Sequence, residues 1–217
     1  MILYQDEKIN LFKIVYQLTA VATFVMLPMN SYAAEYEIIR PALSGVYAAK
    51  KASGWGYVTK NKEITNFNFD SVINFSKIGL GAGKLKGNYY IYNPSGKVIG
   101  KIDGVDKLFA GDGQKWIYSK GDKYGVIDMT SLKKNSAKYD YILEFYKGYA
   151  WVMMDNKAGL IDENERFIIP LKPMSMQTSG LVNDETIVFC KNGKGNKVAV
   201  VINLKAEIVL GSGCGGL

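Results

Sequence analysis

The sequence predicts an all-β protein built from about five copies of one unit, and three observations predict it. The composition sets 15 Tyr and 23 Gly against 5 Pro in 217 residues, a mixture that suits short strands joined by tight turns. Apolar residues alternate with a local period of two, not the 3.6 of a helix. A four-residue signature also returns at a nearly constant interval, which means a repeat architecture. With 48% of residues hydrophobic, the chain has ample material for a core.

The first 34 residues read differently from the rest. Lys8 and Lys13 precede an apolar run from Ile14 to Leu27, and small residues follow at Ser31-Tyr32-Ala33-Ala34. This is the pattern of a secretory signal, with cleavage expected near Ala33 or Ala34. The apolar run falls short of the roughly 20 residues that span a bilayer. Residues 35–217 hold no other run of that kind, so no membrane span is expected in the mature chain. A periplasmic or secreted protein follows, and there Cys190 and Cys214 can oxidise. Cys190 closes an apolar run and Cys214 sits in the glycine-rich tail. Both a disulfide pinning that tail and two unpaired thiols fit the sequence.

From residue 44 onward the units run at about 44–78, 79–112, 113–147, 148–179 and 180–210. The signature pairs a small or aromatic residue with two apolar residues and a polar turn residue. It reads Gly56-Tyr57-Val58-Thr59, Tyr90-Ile91-Tyr92-Asn93, Gly125-Val126-Ile127-Asp128, Gly159-Leu160-Ile161-Asp162 and Val200-Val201-Ile202-Asn203. A second track places Asp70, Asp106 and Asp140 before apolar stretches ending in Phe75, Phe109 and Phe145. Gly79, Gly113, Gly148 and Gly180 then open the next unit. Residues 148–154 read as a strand, 155–157 as a turn and 158–162 as the hairpin partner. A third strand, 166–169, is expected to stop at Pro170. Each unit is therefore expected to be a three-stranded antiparallel meander, unable to bury its own face alone. The units would assemble as a propeller-like ring or a short β-solenoid.

The segments Gly54-Trp55-Gly56-Tyr57-Val58, Lys123-Tyr124-Gly125-Val126-Ile127-Asp128 and Lys157-Ala158-Gly159-Leu160-Ile161-Asp162 resemble the core of WG repeats. The stretch from Tyr139-Asp140 through Phe145, Gly148, Ala150 and Val152 is similar to the lead into that core. The second unit departs from the pattern with Tyr89-Tyr90, and the fifth lacks the glycine. The resemblance implies a non-catalytic β-repeat module with no single shared ligand.

The residues themselves point the same way. The chain contains no His, which removes the commonest general base and metal ligand. Ser131-Leu132-Lys133-Lys134 lacks the partner motifs that a Ser-x-x-Lys nucleophile needs. Gly79 to Lys84 lacks the spacing of a phosphate loop. Asp70, Asp106 and Asp140, one per unit, suit turn capping better than shared acid–base work. No catalytic residue, metal or cofactor is expected.

Trp55 and Trp151 fall on repeat positions and read as core. Trp116, within Lys115-Trp116-Ile117-Tyr118-Ser119-Lys120, reads as an exposed aromatic at a binding surface, with Lys115, Tyr118 and Lys120 around it. The formal charge of +7 comes almost wholly from Lys, since only Arg40 and Arg166 are Arg. Lys is a hydrated point charge rather than a forked phosphate ligand. A protein partner is therefore expected, with an anionic glycan or lipid headgroup as a further possibility and nucleic acid not expected. The functional expectation is an exported binding protein of the bacterial envelope; the alternative is a periplasmic immunity protein that neutralises a secreted antibacterial toxin.

Overall fold

Strand alternation and tight turns organise the chain into five successive antiparallel sheets, described here from a computed structural model. The chain divides into Met1–Ala34 and Glu35–Leu217, and the structure describes residues 36–42, 44–176, 184–205 and 207–214. The signal expected over 1–34, its cleavage point and Gly180 lie outside the described residues.

The first sheet contains β1 (Ile38–Ile39), β2 (Tyr47–Lys51) and β3 (Gly54–Val58). The second contains β4 (Ser71–Ile73), β5 (Gly81–Leu85), β6 (Asn88–Tyr92) and β7 (Val98–Ile102). The third contains β8 (Lys107–Phe109), β9 (Lys115–Lys120), β10 (Lys123–Asp128) and β11 (Lys133–Lys134). The fourth runs through β12 (Tyr141–Ile142), β13 (Tyr149–Met154), β14 (Lys157–Asp162) and β15 (Phe167–Lys172). The fifth comprises β16 (Met174–Met176), β17 (Glu185–Lys191), β18 (Lys197–Asn203) and β19 (Ile208–Leu210). Every sheet is a simple meander.

Two expectations are corrected. The unit is not three-stranded throughout, because four of the five sheets carry a fourth strand. The second, third and fourth sheets draw their first strands, β4, β8 and β12, from just after Asp70, Asp106 and Asp140, at the end of the preceding sequence period. In the first sheet the fourth strand shrinks to a single bridge, Val58 to Glu63. Pro170 also fails to end its strand, since β15 continues to Lys172. The strand lies at the sheet edge, where a missing N–H costs no ladder bond. The register beside it slips by one residue between Leu160–Ile169 and Ala158–Lys172, as a bulge requires.

Both sequence tracks prove to be turn chemistry. Asp70, Asp106 and Asp140 accept backbone N–H bonds from Lys86 (3.0 Å), Gly121 (2.7 Å) and Asp155 (2.7 Å). Those donors open the two-residue hairpins β5–β6, β9–β10 and β13–β14, and all three have positive φ. The second track ends its own strands. Asn93 accepts from the N–H groups of Ser95 and Lys97, and Asp128 from those of Thr130 and Ser131. Asp162 does so for Asn164 and Arg166, and Asn203 for Lys205 and Glu207. A short polar side chain that bonds its own backbone fixes a turn without help from the core.

The core lies between successive sheets. Tyr57, Val72 and Phe75 pack between the first and second, and Ile91, Leu108 and Trp116 between the second and third. Ile117, Val126 and Phe145 join the third to the fourth, and Trp151, Leu160 and Val188 join the fourth to the fifth. Strand alternation makes this possible: Trp116 and Tyr118 of β9 face the second sheet while Ile117 between them faces the fourth. The Tyr57 hydroxyl ties two sheets directly, donating toward the carbonyls of Ile73 (2.5 Å) and Ala82 (2.9 Å).

Candidate functional site

The side chains singled out around Trp116 do not form an exposed site. Trp116 is fully buried, a correction of its expected exposure. It stands three residues after Gly113, as Trp151 stands three after Gly148, and both indoles are core. The shared offset was legible in the sequence. Gly111 lets the chain pass close to the start of β9. It follows Asp106 by five residues, where Phe75 and Phe145 follow Asp70 and Asp140, and a Cβ there would lie 2.8 Å from the Lys115 carbonyl oxygen, beside the ring.

Tyr118 is buried as well, and its hydroxyl donates to the Asn135 carbonyl. Burial pushes that hydroxyl's pKa up, with the Glu165 charge adding to the effect. Lys115 and Lys120 occupy opposite ends of β9, so the strand separates them by about 16 Å. Lys115 is held by Asp128 at 2.6 Å and Lys120 is exposed. In the fifth sheet, Cys190 and Cys214 are joined as a disulfide with Cα atoms 5.6 Å apart. The bridge fastens the tail to β17.

A different set of aromatics reaches the surface. Phe75 and Phe145 are 1% and 8% exposed, whereas Phe109 is 42% exposed. Phe109 follows its Asp by three residues rather than five, and that two-residue shift takes it off the core position. Its ring lies 6.2 Å from Tyr124 of β10, which lies 5.8 Å from Tyr141 of β12 in an edge-on contact. Tyr141 is also exposed at 36%. The three rings line a cleft of about 380 Å³ between the third and fourth sheets, with Ile117 and Leu143 in its wall. That volume falls in the range of ligand and side-chain pockets.

Lys115 and Glu144 also line the cleft. The ammonium of Lys115 and the N–H of Ser131 hold the Asp128 carboxyl down at about 2. The cleft therefore offers aromatic contact surface beside two charged residues. The repeat pattern hid it, because Phe109 passes for an in-phase phenylalanine until its offset from Asp106 is counted.

Comparison with known proteins gives one family match and several structural likenesses. The model of the WG containing repeat matches residues 136–157, which span β12, β13 and the turn into β14. No curated protein matches the chain. Among solved structures, Kluyveromyces lactis Hsv2 is similar at a TM-score of 0.48 and 12% identity, over 83% of this chain and 65% of that one. The Neurospora crassa Pan2 WD40 domain is similar at 0.42 and 13% identity, over 83% and 67%. The Myceliophteria thermophila Cps50 (Swd1) β-propeller domain gives 0.44 and 9%, over 73% and 66%. The chain thus spans less than two thirds of the length of Hsv2, and likenesses at this level carry no function across. Residues 136–157 bear the resemblance read from the sequence: the chain is a β-repeat protein that carries a WG-containing repeat.

Proposed function

We propose that the chain is a non-catalytic binding protein whose Phe109–Tyr124–Tyr141 cleft receives an apolar side chain of a protein partner. The observation that carries this reading is Phe109, a large ring set out of phase with the repeat and left exposed among two others. Exposed aromatic clusters with a polar rim are where binding energy concentrates at protein interfaces. Net charge supports a smaller role than the +7 total suggests. Lys77, Lys115, Lys123 and Lys147 each pair with a carboxylate of this chain.

The sheets fit a propeller-like ring better than a straight solenoid. Lys77, in the loop between β4 and β5, pairs with Asp112, in the loop between β8 and β9 of the next sheet. Equivalent loops of successive sheets thus draw together, as they would around an axis. The signal-like segment at 1–34 and the Cys190–Cys214 disulfide support an exported protein of the envelope, where thiols oxidise.

The test is capture of partners from envelope extract by the wild type beside Phe109→Ala and Tyr141→Ala. Loss of one partner in both variants, with unchanged melting temperature, supports the cleft. Equal capture by all three places the interface elsewhere. If the captured partner is a secreted toxin, the narrower role is that of an immunity protein. Recovery of the protein only from the cytoplasm would refute export.

A further inference from the structure

A second cleft, of about 480 Å³, lies between the first and second sheets. It exists because the first sheet lacks a full fourth strand. After the Val58–Glu63 bridge the Ile64 N–H and the Thr65 hydroxyl still hold Tyr57 of β3, but residues 64–68 form no strand. They stand over Tyr90 and Tyr92, which are two apart on β6 and so share one face. Gly96 lets the β6–β7 turn pass close beneath this loop, since a Cβ there would sit 2.4 Å from the Ile64 carbonyl oxygen.

The lining differs in kind from that of the aromatic cleft. Asn66 and Asn68 are exposed on one side, while Tyr90 is half-buried and Tyr92 buried on the other. The amides of both Asn and the hydroxyls of both Tyr make no hydrogen bond to the described residues. Two amides supply donors and acceptors, and two phenols supply one of each. Leu85 and the tyrosine rings add apolar faces. The one carboxylate in the lining, Glu63, is already taken by Lys51 at 2.5 Å and the Tyr36 hydroxyl at 3.0 Å. A site with neutral donors and acceptors, aromatic faces and no spare charge matches a neutral polyhydroxylated ligand.

We infer that this cleft is a binding site for a neutral saccharide, with Asn66, Asn68 and Tyr90 holding ring hydroxyls and the tyrosine rings facing the sugar's C–H surface. The inference is independent of the protein-binding reading, since the two clefts lie between different pairs of sheets.

The full chain would be titrated with maltotriose, cellotriose and triacetylchitotriose by calorimetry, with saturation-transfer NMR to show contact. Saturable binding of at least one, with Kd below about 10 mM, is the expected result. Asn68→Ala and Tyr90→Phe should each weaken it at least about tenfold, a loss of about 1.4 kcal/mol. Tyr141→Ala should leave it intact. Both tested changes sit on accessible side chains, and unchanged melting temperatures would show that the fold survives them. The inference fails if none of the three sugars saturates. It fails equally if binding ignores Asn68→Ala and Tyr90→Phe, or if Tyr141→Ala abolishes it, which would place the sugar in the other cleft.

Discussion

The third and fourth sheets begin alike and part company within five residues. Asp106 and Asp140 each cap the next hairpin through one backbone N–H. After Asp140 comes Phe145, buried against the third sheet; after Asp106 comes Phe109, two positions early and largely in solvent. Three residues past their glycines, by contrast, Trp116 and Trp151 are equally buried. What the units share is structural, and where one departs from the pattern a surface opens. The first sheet teaches the same lesson, since its missing strand leaves the cleft beside Asn66 and Asn68.

Stability measurements can break this comparison. Trp116→Ala and Trp151→Ala should each cost about 3–5 kcal/mol in denaturant unfolding, the usual toll of emptying a large core site. A loss below about 1 kcal/mol at Trp116 alone would return it to the surface and undo the equivalence. Reducing the Cys190–Cys214 bridge, which closes a separation of 24 residues, should cost about 3 kcal/mol. Protease sensitivity should then rise first in the fifth sheet. Uniform loss across all sheets would show that the sheets do not fold as separable layers.

Smaller effects sharpen the picture. A Cβ at Gly125 would lie 2.6 Å from the Tyr118 ring, so Gly125→Val should cost about 1–3 kcal/mol by overpacking. Gly193→Ala, with nothing within 4 Å, should change stability by less than about 0.5 kcal/mol. Equal melting temperatures for these two variants would make the Gly125–Tyr118 approach incidental. Acid titration addresses Asp128. Its folded-state pKa is depressed to about 2, chiefly by Lys115. Its contribution is therefore complete above the ordinary carboxylate range and is lost as pH falls through that range to about 2. Asp128→Asn should flatten this part of the acid limb in a pH series of melting temperatures, and an unchanged limb would mean that the ion pair is idle. Smallest of all, Phe109→Ala should leave stability within about 0.5 kcal/mol, against several for Phe75→Ala, while partner capture falls.

The sequence by itself determined the strands, the hairpins and the caps. Alternation depends on two-residue spacing, and the turns at 93, 128, 162 and 203 on Asx side chains that bond backbone within four residues, while Asp70, Asp106 and Asp140 reach hairpins 15 or 16 residues along. The recurring Asp, the turn residues at 59, 93, 128, 162 and 203, and the tryptophan offset were all countable. The fourth strand escaped because strands such as Tyr141–Ile142 are very short and stand at the end of the preceding sequence period, away from the hairpin they join. Strand β15 was cut short because Pro170 forbids a central strand but not an edge with a bulge. Tertiary structure decided which aromatic faces a neighbour and which faces water. That depends on how far each loop advances before its sheet stacks on the last, and a shift of two residues sends Phe109 outward while Trp116 fills the space between the sheets.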